Sequence, residues 1–359
     1  MKAFFIVGVQ RSGTTLLSSL LDQHPEVYME PRVLGFRMIT CFKNLYELLP
    51  FNAEVDKNEL LAWLVRQDDK GRLAALIDHE NIQDYTTVRE LISGSIDKQL
   101  INKGKQVWGD KAPNLQHYLN DLMLLMPEAK ILHIVRDGRA NAYSMSTRSY
   151  RHLALSAQQW MNGNVFGLVN RQILGAENYH LIRYEELLKQ PELVAKNICS
   201  FLDIPYSVDM LNLAGEQYEK EASYVKNYFD QSKIDKWKQQ LSRKQIQTIE
   251  NIQGPLLQRL GYQLETPLAD LKFKPLSLRR QIWYNQKDNI RQLFQAKRAG
   301  MKNKELIEFQ RPFKTRAYLF LRTLARDLVA LPIFKSLFSH LYFSKKEFES
   351  DKIKKEILP

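Results

Sequence analysis

The stretch Ala3-Phe4-Phe5-Ile6-Val7-Gly8-Val9-Gln10-Arg11-Ser12-Gly13-Thr14-Thr15-Leu16-Leu17 constrains the fold more than any other part of this chain. Its first five residues form a continuous apolar run of the kind that fills a parallel strand buried on both faces. Leu16, Leu17, Leu20 and Leu21 then recur at helical spacing until Gln23-His24-Pro25 ends the helix. Between strand and helix lies a loop with two glycines separated by four residues. Such a unit points backbone N–H groups and a helix N-terminus at an anion, and Ser12, Thr14 and Thr15 add hydroxyl donors. The Gly8-x4-Gly13 spacing fits a nucleotide-triphosphate loop, yet Thr14 stands where that loop carries its lysine, and Arg11 is the one cation within it. On these residues alone, a glycine turn in any α/β protein also stays open.

The rest of the chain alternates strands and helices. Residues 26–32 (Glu26 to Arg32) read as extended, residues 105–113 as a brief strand running into a turn, 130–135 as a strand, and 179–187 as a strand leading into a turn. Helices are expected over 153–174, up to Phe201, and from about Lys244 to Leu260. Residues 44–104 read as a helical insertion that covers the site. This pattern predicts an α/β fold: a P-loop-type parallel sheet flanked by helices, with its ligand at the carboxyl edge of the strands. The strand 130–135 delivers Arg136 to that edge, and Ser144 and Arg148 follow four apart on one helix face, a triplet suited to a second phosphate. ATP has no phosphate at its ribose 3′ position, whereas 3′-phosphoadenosine 5′-phosphosulfate (PAPS) has one.

GVQRSGTTLL resembles the 5′-phosphosulfate loop of the PAPS-dependent sulfotransferases, and Arg11 in place of lysine resembles their tyrosylprotein and bacterial branch. The resemblance implies that Gln10, Arg11, Ser12, Gly13, Thr14 and Thr15 hold the 5′-phosphosulfate. The segment Val135-Arg136-Asp137-Gly138-Arg139 through Ser144 and Arg148 is similar to the family's 3′-phosphate motif. Arg183-Tyr184-Glu185-Glu186-Leu187 resembles a segment whose tyrosine contacts the nucleotide, and Lys236-Trp237 resembles a pair near it. Lys111-Ala112-Pro113 resembles a lysine–x–proline whose lysine lies at the sulfuryl group. Glu30-Pro31-Arg32 falls where the tyrosylprotein branch carries its glutamate base, although the preceding segment is two residues shorter, and Ser223 falls near a family serine at the sulfuryl group. Catalytic roles are thus expected for Glu30, Arg11 and Lys111, with no metal. By contrast, His133 inside a strand reads as a core residue and His24 as a turn residue.

Leu260-Gly261-Tyr262 resembles the end of the family's catalytic domain, which sets the expected domains at 1–265 and 266–359. The formal charge of +12 sits wholly in the last quarter: residues 270–359 hold 21 Lys and Arg against 9 Asp and Glu. Basic pairs there alternate with aromatic residues, so the extension is expected to form basic amphipathic helices that either meet an anionic membrane surface or pack on the catalytic domain. Nucleic acid fits less well, because no binding module accompanies the charge. Two cysteines, Cys41 and Cys199, give no disulfide framework, and the first residues do not read as a signal peptide. The chain is therefore read as cytoplasmic, with peripheral contact to the inner face of a membrane as an extension of that reading. The function these features imply is sulfuryl transfer from PAPS to a hydroxyl of a carbohydrate, glycolipid, phenol or tyrosine. A P-loop kinase of a small substrate and a catalytically inactive membrane-surface scaffold are the alternatives.

Overall fold

The computed structural model describes residues 2–42, 73–148, 151–213, 229–295 and four positions between 317 and 324. Five parallel strands form one sheet in the order β2-β3-β1-β4-β5: β1 (Lys2–Val7), β2 (Val27–Glu30), β3 (Val107–Lys111), β4 (Lys130–Val135) and β5 (Tyr179–Arg183). β1 is central, flanked by β3 and β4. The chain moves to one side of β1 for β2 and β3 and to the other for β4 and β5. Ligands of open α/β sheets bind at such a reversal. Phe4, Phe5, Ile6 and Val7 are all 0% exposed, because helices cover both faces of the sheet.

On one face α1 (Thr14–Asp22), α7 (Tyr184–Lys189) and α8 (Pro191–Leu202) bury Leu17, Leu20, Leu187 and Ile198 against Phe4, Ile6, Leu132 and Ile134. The opposite face carries α2 (Gly35–Phe42), α3 (Val88–Lys103), α4 (Leu119–Leu125) and α6 (Leu153–Leu174). α3 begins at a capping box formed by Thr87 and Glu90 and ends at Gly104 in the left-handed conformation. Its Leu91, Ile92, Ile96 and Leu100 join Phe5, Trp108 and Ile131 in a single core. Of the helical insertion expected over 44–104, the described helical part is α3, which lies in the crossover from β2 to β3 and packs on the sheet. Residues 43–72 lie outside the described residues.

The strand expected over 179–187 ends at Arg183, and α7 starts at Tyr184 with no intervening turn. α5 (Gly138–Arg148), α9 (Ser232–Gln240) and α10 (Arg243–Arg259) complete the described domain. Beyond residue 265 the chain stays attached to it. Lys272 N–H donates to Asn251 Oδ1 (2.6 Å) and Leu276 N–H to Gln158 Oε1 (2.8 Å). In α11 (Leu278–Gln295), Tyr284 stacks on His152 with ring centroids 3.6 Å apart. The first helix of the basic extension is thus docked on α6, and most of the remainder lies outside the described residues. No helix among the described residues is long and apolar enough to cross a membrane.

Candidate active site

The strand ends meet at the glycine loop. Gly8 (φ +154°) passes so close to β4 that a Cβ there would lie 2.6 Å from the Ile134 carbonyl oxygen. Gly13 has φ +103°, and a Cβ on it would lie 2.4 Å from the Tyr184 ring. Both positions therefore require glycine, for space and, at Gly13, for backbone conformation. Ser12 is fully buried, and its hydroxyl takes a hydrogen bond from Asn141 Nδ2 (3.1 Å), which also donates to the Gln10 carbonyl (2.9 Å). On the other side, Asn114 N–H donates to the Gly8 carbonyl (2.8 Å). The loop is thus pinned from α5 and from the turn after β3.

Around it stand the cations. Arg11 (φ +69°) donates from Nε to Ser144 Oγ at 3.3 Å. Arg136, at the end of β4, donates to the Arg11 carbonyl (3.4 Å) and to the Lys233 carbonyl (2.9 Å), with its guanidinium 4.6 Å above the Tyr184 ring. Its Nε is buried without a hydrogen-bond partner. Lys233 on α9 has its pKa pushed down, first by burial and then by the charges of Arg136, Arg148 and Lys236, while Asp230 offsets part of this. Cations crowded this way around a pinned loop form an anion site.

Sequence reasoning brought Arg11, Arg136, Ser144 and Arg148 together, and the structure does the same. Tyr184 is wedged between Gly13 and Arg136 and is only 7% exposed, so it props both. Lys236 is exposed on α9, and Lys233, one turn earlier, meets Arg136 through its backbone carbonyl. Lys233 and Asn141 are the residues the sequence reading missed. Ser223 lies outside the described residues.

On the β2–β3 side, Lys111 Nζ reaches Thr15 Oγ1 at 3.5 Å, which ties it to the loop. Glu30, at the end of β2, is 3% exposed. Its Oε1 accepts from the Arg32 backbone N–H (3.0 Å), and its Oε2 accepts from Arg32 Nη2 (2.7 Å) and Gln99 Nε2 (3.3 Å). Gln99 is in turn fixed by Trp108 Nε1 (3.0 Å). Asp110 pairs with Glu30 across the strands and is fully buried. Its Oδ2 accepts from Gly35 N–H (2.7 Å), and its Oδ1 has no partner. Burial raises its pKa to about 7, against the backbone N–H groups and with help from the Glu30 charge.

Behind the cluster a buried network holds the helices in phase. Arg139 pairs with Asp137 (2.7 Å) and Glu250 (2.7 Å) and lies 4.3 Å above the Trp237 ring, which fixes α9 beside α5. Both histidines keep the structural roles expected of them. His133 is buried against the Tyr179 hydroxyl (2.8 Å), and burial pushes its pKa down to about 4. His24 Nε2 meets the Pro205 carbonyl (2.8 Å).

A family model described as "Sulfotransferase family" matches residues 3–208. Protein-tyrosine sulfotransferase A of Caenorhabditis elegans is 26% identical over 289 residues, covering 72% of this chain and 66% of that protein. The protein-tyrosine sulfotransferase of Drosophila melanogaster is 26% identical over 301 residues, covering 73% of this chain and 52% of that protein. The chain therefore spans no more than about two thirds of the length of these relatives. Among solved structures, the sulfotransferase domain from the Synechococcus PCC 7002 olefin synthase aligns with 69% of this chain and 93% of its own, at 23% identity and a TM-score of 0.48.

Proposed function

The chain belongs to the sulfotransferase family, and from that premise we propose that it moves a sulfuryl group from PAPS to a hydroxyl acceptor. One observation carries the reading: Arg11, Arg136 and Ser144 converge on a single glycine loop, with Arg136 Nε buried and unbonded. PAPS carries anionic groups at both ribose positions, so it matches a loop backed by cations on two sides. The unbonded Arg136 Nε is a donor that a 3′-phosphate oxygen would satisfy. When bound, the donor supplies an activated sulfuryl group whose transfer resembles phosphoryl transfer in its loose, in-line course.

The chain supplies the rest. Backbone N–H groups of the loop and the side chains of Arg11 and Lys111 neutralise charge at the transferring and leaving oxygens. Arg136, Ser144, Arg148 and Lys233 hold the 3′-phosphate. Glu30 takes the proton of the acceptor hydroxyl. Arg32 orients that carboxylate with two of its own groups. The long contact from Gln99 is the weakest of those to Glu30, and it is the one an incoming hydroxyl displaces. The names of the relatives put a tyrosyl hydroxyl first among acceptors, ahead of carbohydrate, glycolipid and phenol hydroxyls.

Calorimetric titration of adenosine 3′,5′-bisphosphate, ADP and ATP into wild type and Arg136→Ala tests the donor. The bisphosphate is expected to bind more tightly than ADP or ATP by about tenfold or more, and Arg136→Ala is expected to abolish that preference. A preference for ATP would promote a kinase, and no nucleotide binding would promote a scaffold.

A further inference from the structure

We propose that a second anion site, independent of the donor site, lies between α6, the ends of β4 and β5, and the C-terminus of α10, and that it binds a phosphate or sulfate monoester carried on an apolar body. A cavity of about 490 Å³ opens there, within the size range of small-molecule sites. Three guanidinium groups line it: Arg171 from α6, Arg183 from β5 and Arg259 from α10. Val135, Leu168, Leu181 and Leu260 form the apolar part of its wall.

Three features make this more than a basic patch. Arg183 is held in place, with its guanidinium 4.4 Å over the ring of Tyr262, whose hydroxyl donates to Glu185 Oε2 at 2.9 Å. Its Nε is buried with no hydrogen-bond partner, and Glu186 stands 3.9 Å away, beyond hydrogen-bond reach. Among the described residues, no carboxylate forms an ion pair with Arg171 or Arg259. Three like charges on one concave surface repel one another and draw in an anion. Guanidinium groups meet tetrahedral oxyanions with paired donors, which favours a phosphate or sulfate over a carboxylate. Leu168 and Leu181 are only half-buried and would stay wetted under a bare inorganic ion, so the ligand carries an apolar body that covers them.

The site is separate from the glycine loop because of strand geometry. Successive strand residues face opposite sides of a sheet. Val135 lines the cavity while Arg136 serves the loop, and Arg183 lines it while Tyr184 backs Gly13. The two sites thus stand back to back across the ends of β4 and β5.

Calorimetry on the full chain, with 1-naphthyl phosphate as probe, tests this. Wild type is expected to bind it saturably, and about tenfold or more tighter than inorganic phosphate or 1-naphthol. Arg171→Ala/Arg259→Ala, at two exposed positions, is expected to lower that affinity about tenfold or more without moving the thermal midpoint. Arg136→Ala is expected to leave it unchanged, and adenosine 3′,5′-bisphosphate not to displace it. No saturable binding, or equal affinity in the double variant, would overturn the proposal. So would loss in Arg136→Ala or displacement by the bisphosphate, which would assign the probe to the donor site. Inorganic phosphate binding as tightly as the ester would overturn the apolar half of the assignment. None of these outcomes depends on whether the donor is PAPS.

Discussion

The two halves of the sheet edge carry charge differently, one as an uncompensated excess and the other neutralised from within. On the β1–β4–β5 side Arg11, Arg136, Arg148 and Lys233 crowd the loop, and the pKa of Lys233 is depressed by burial and by that crowding. The β2–β3 side buries two carboxylates on paired residues, Glu30 and Asp110, and quiets them from within: Arg32 grips one, and burial raises the pKa of the other to about 7. In the function proposed above, a polyanionic donor completes the first half from outside, and the second, already neutralised, opens only when an acceptor hydroxyl competes for Glu30.

The sharpest way to break that contrast is Glu30→Gln. General-base catalysis contributes about 10²- to 10⁴-fold, so turnover is expected to fall by that much with each acceptor that wild type accepts. The affinity for adenosine 3′,5′-bisphosphate is expected to stay within about threefold, since only the donor half holds it. Glu30 is buried and bonded to Arg32 and Gln99, so a thermal midpoint measured alongside separates loss of the base from loss of the fold. Unchanged turnover in a folded variant would remove Glu30 from the mechanism and leave the acceptor half without a proton acceptor.

The donor half was legible in the sequence for a physical reason. Gly8 and Gly13 are demanded by the Ile134 carbonyl and the Tyr184 ring, so their spacing is locked to the chain and survives as a pattern. Arg136, Ser144 and Arg148 are legible because a strand end and one helix face fix them. Lys233 arrives from α9, 97 residues after Arg136, and whether its side chain faces the Arg136 and Arg148 charges depends on how that helix is rotated. Trp237, buried against Arg139, holds the missing signal: residues i and i−4 share a helix face, so a buried Trp237 turns Lys233 inward and Lys236 out. The acceptor half was legible only as Glu30-Pro31-Arg32. The grip of Arg32 on Glu30 and the support from Gln99 through α3 depend on side-chain direction, which residue spacing does not encode.

A second test separates the halves by pH. The carboxyl of Asp110 holds its proton more tightly in the folded chain than unfolded, so its contribution to stability is full below about pH 4 and is lost as pH rises towards about 7. At roughly 1.4 kcal/mol per tenfold change in proton affinity, the loss amounts to about 4 kcal/mol. Asp110→Asn cannot ionise and can still accept from Gly35 N–H. Its stability, measured by urea unfolding from pH 4 to 8, is therefore expected to decline less with pH than that of wild type, with the gap closing towards pH 4 in favour of wild type. Parallel curves would mean that Asp110 is charged throughout, with two adjacent carboxylates at that edge and Arg32 paired with one of them.

The smallest expected effect bears on which lysine completes the donor half. Lys233 is partly exposed, so its contact with a 3′-phosphate is worth about 1 kcal/mol, and Lys233→Ala is expected to weaken adenosine 3′,5′-bisphosphate binding about three- to tenfold. Lys236→Ala, on the exposed side of α9, is expected to change it less than about twofold. An anion that binds Lys233 reverses the crowding that lowers its pKa. Bisphosphate binding by wild type is therefore expected to take up more protons at alkaline pH than binding by Lys233→Ala, and calorimetry in buffers of different ionisation enthalpy reads that difference directly. A larger loss in Lys236→Ala would show that α9 rotates when the donor binds and that the resemblance of Lys236-Trp237 to the family pair describes the bound state. Equal proton uptake in wild type and Lys233→Ala would remove Lys233 from the phosphate contact, leaving Arg136, Ser144 and Arg148 to hold the anion.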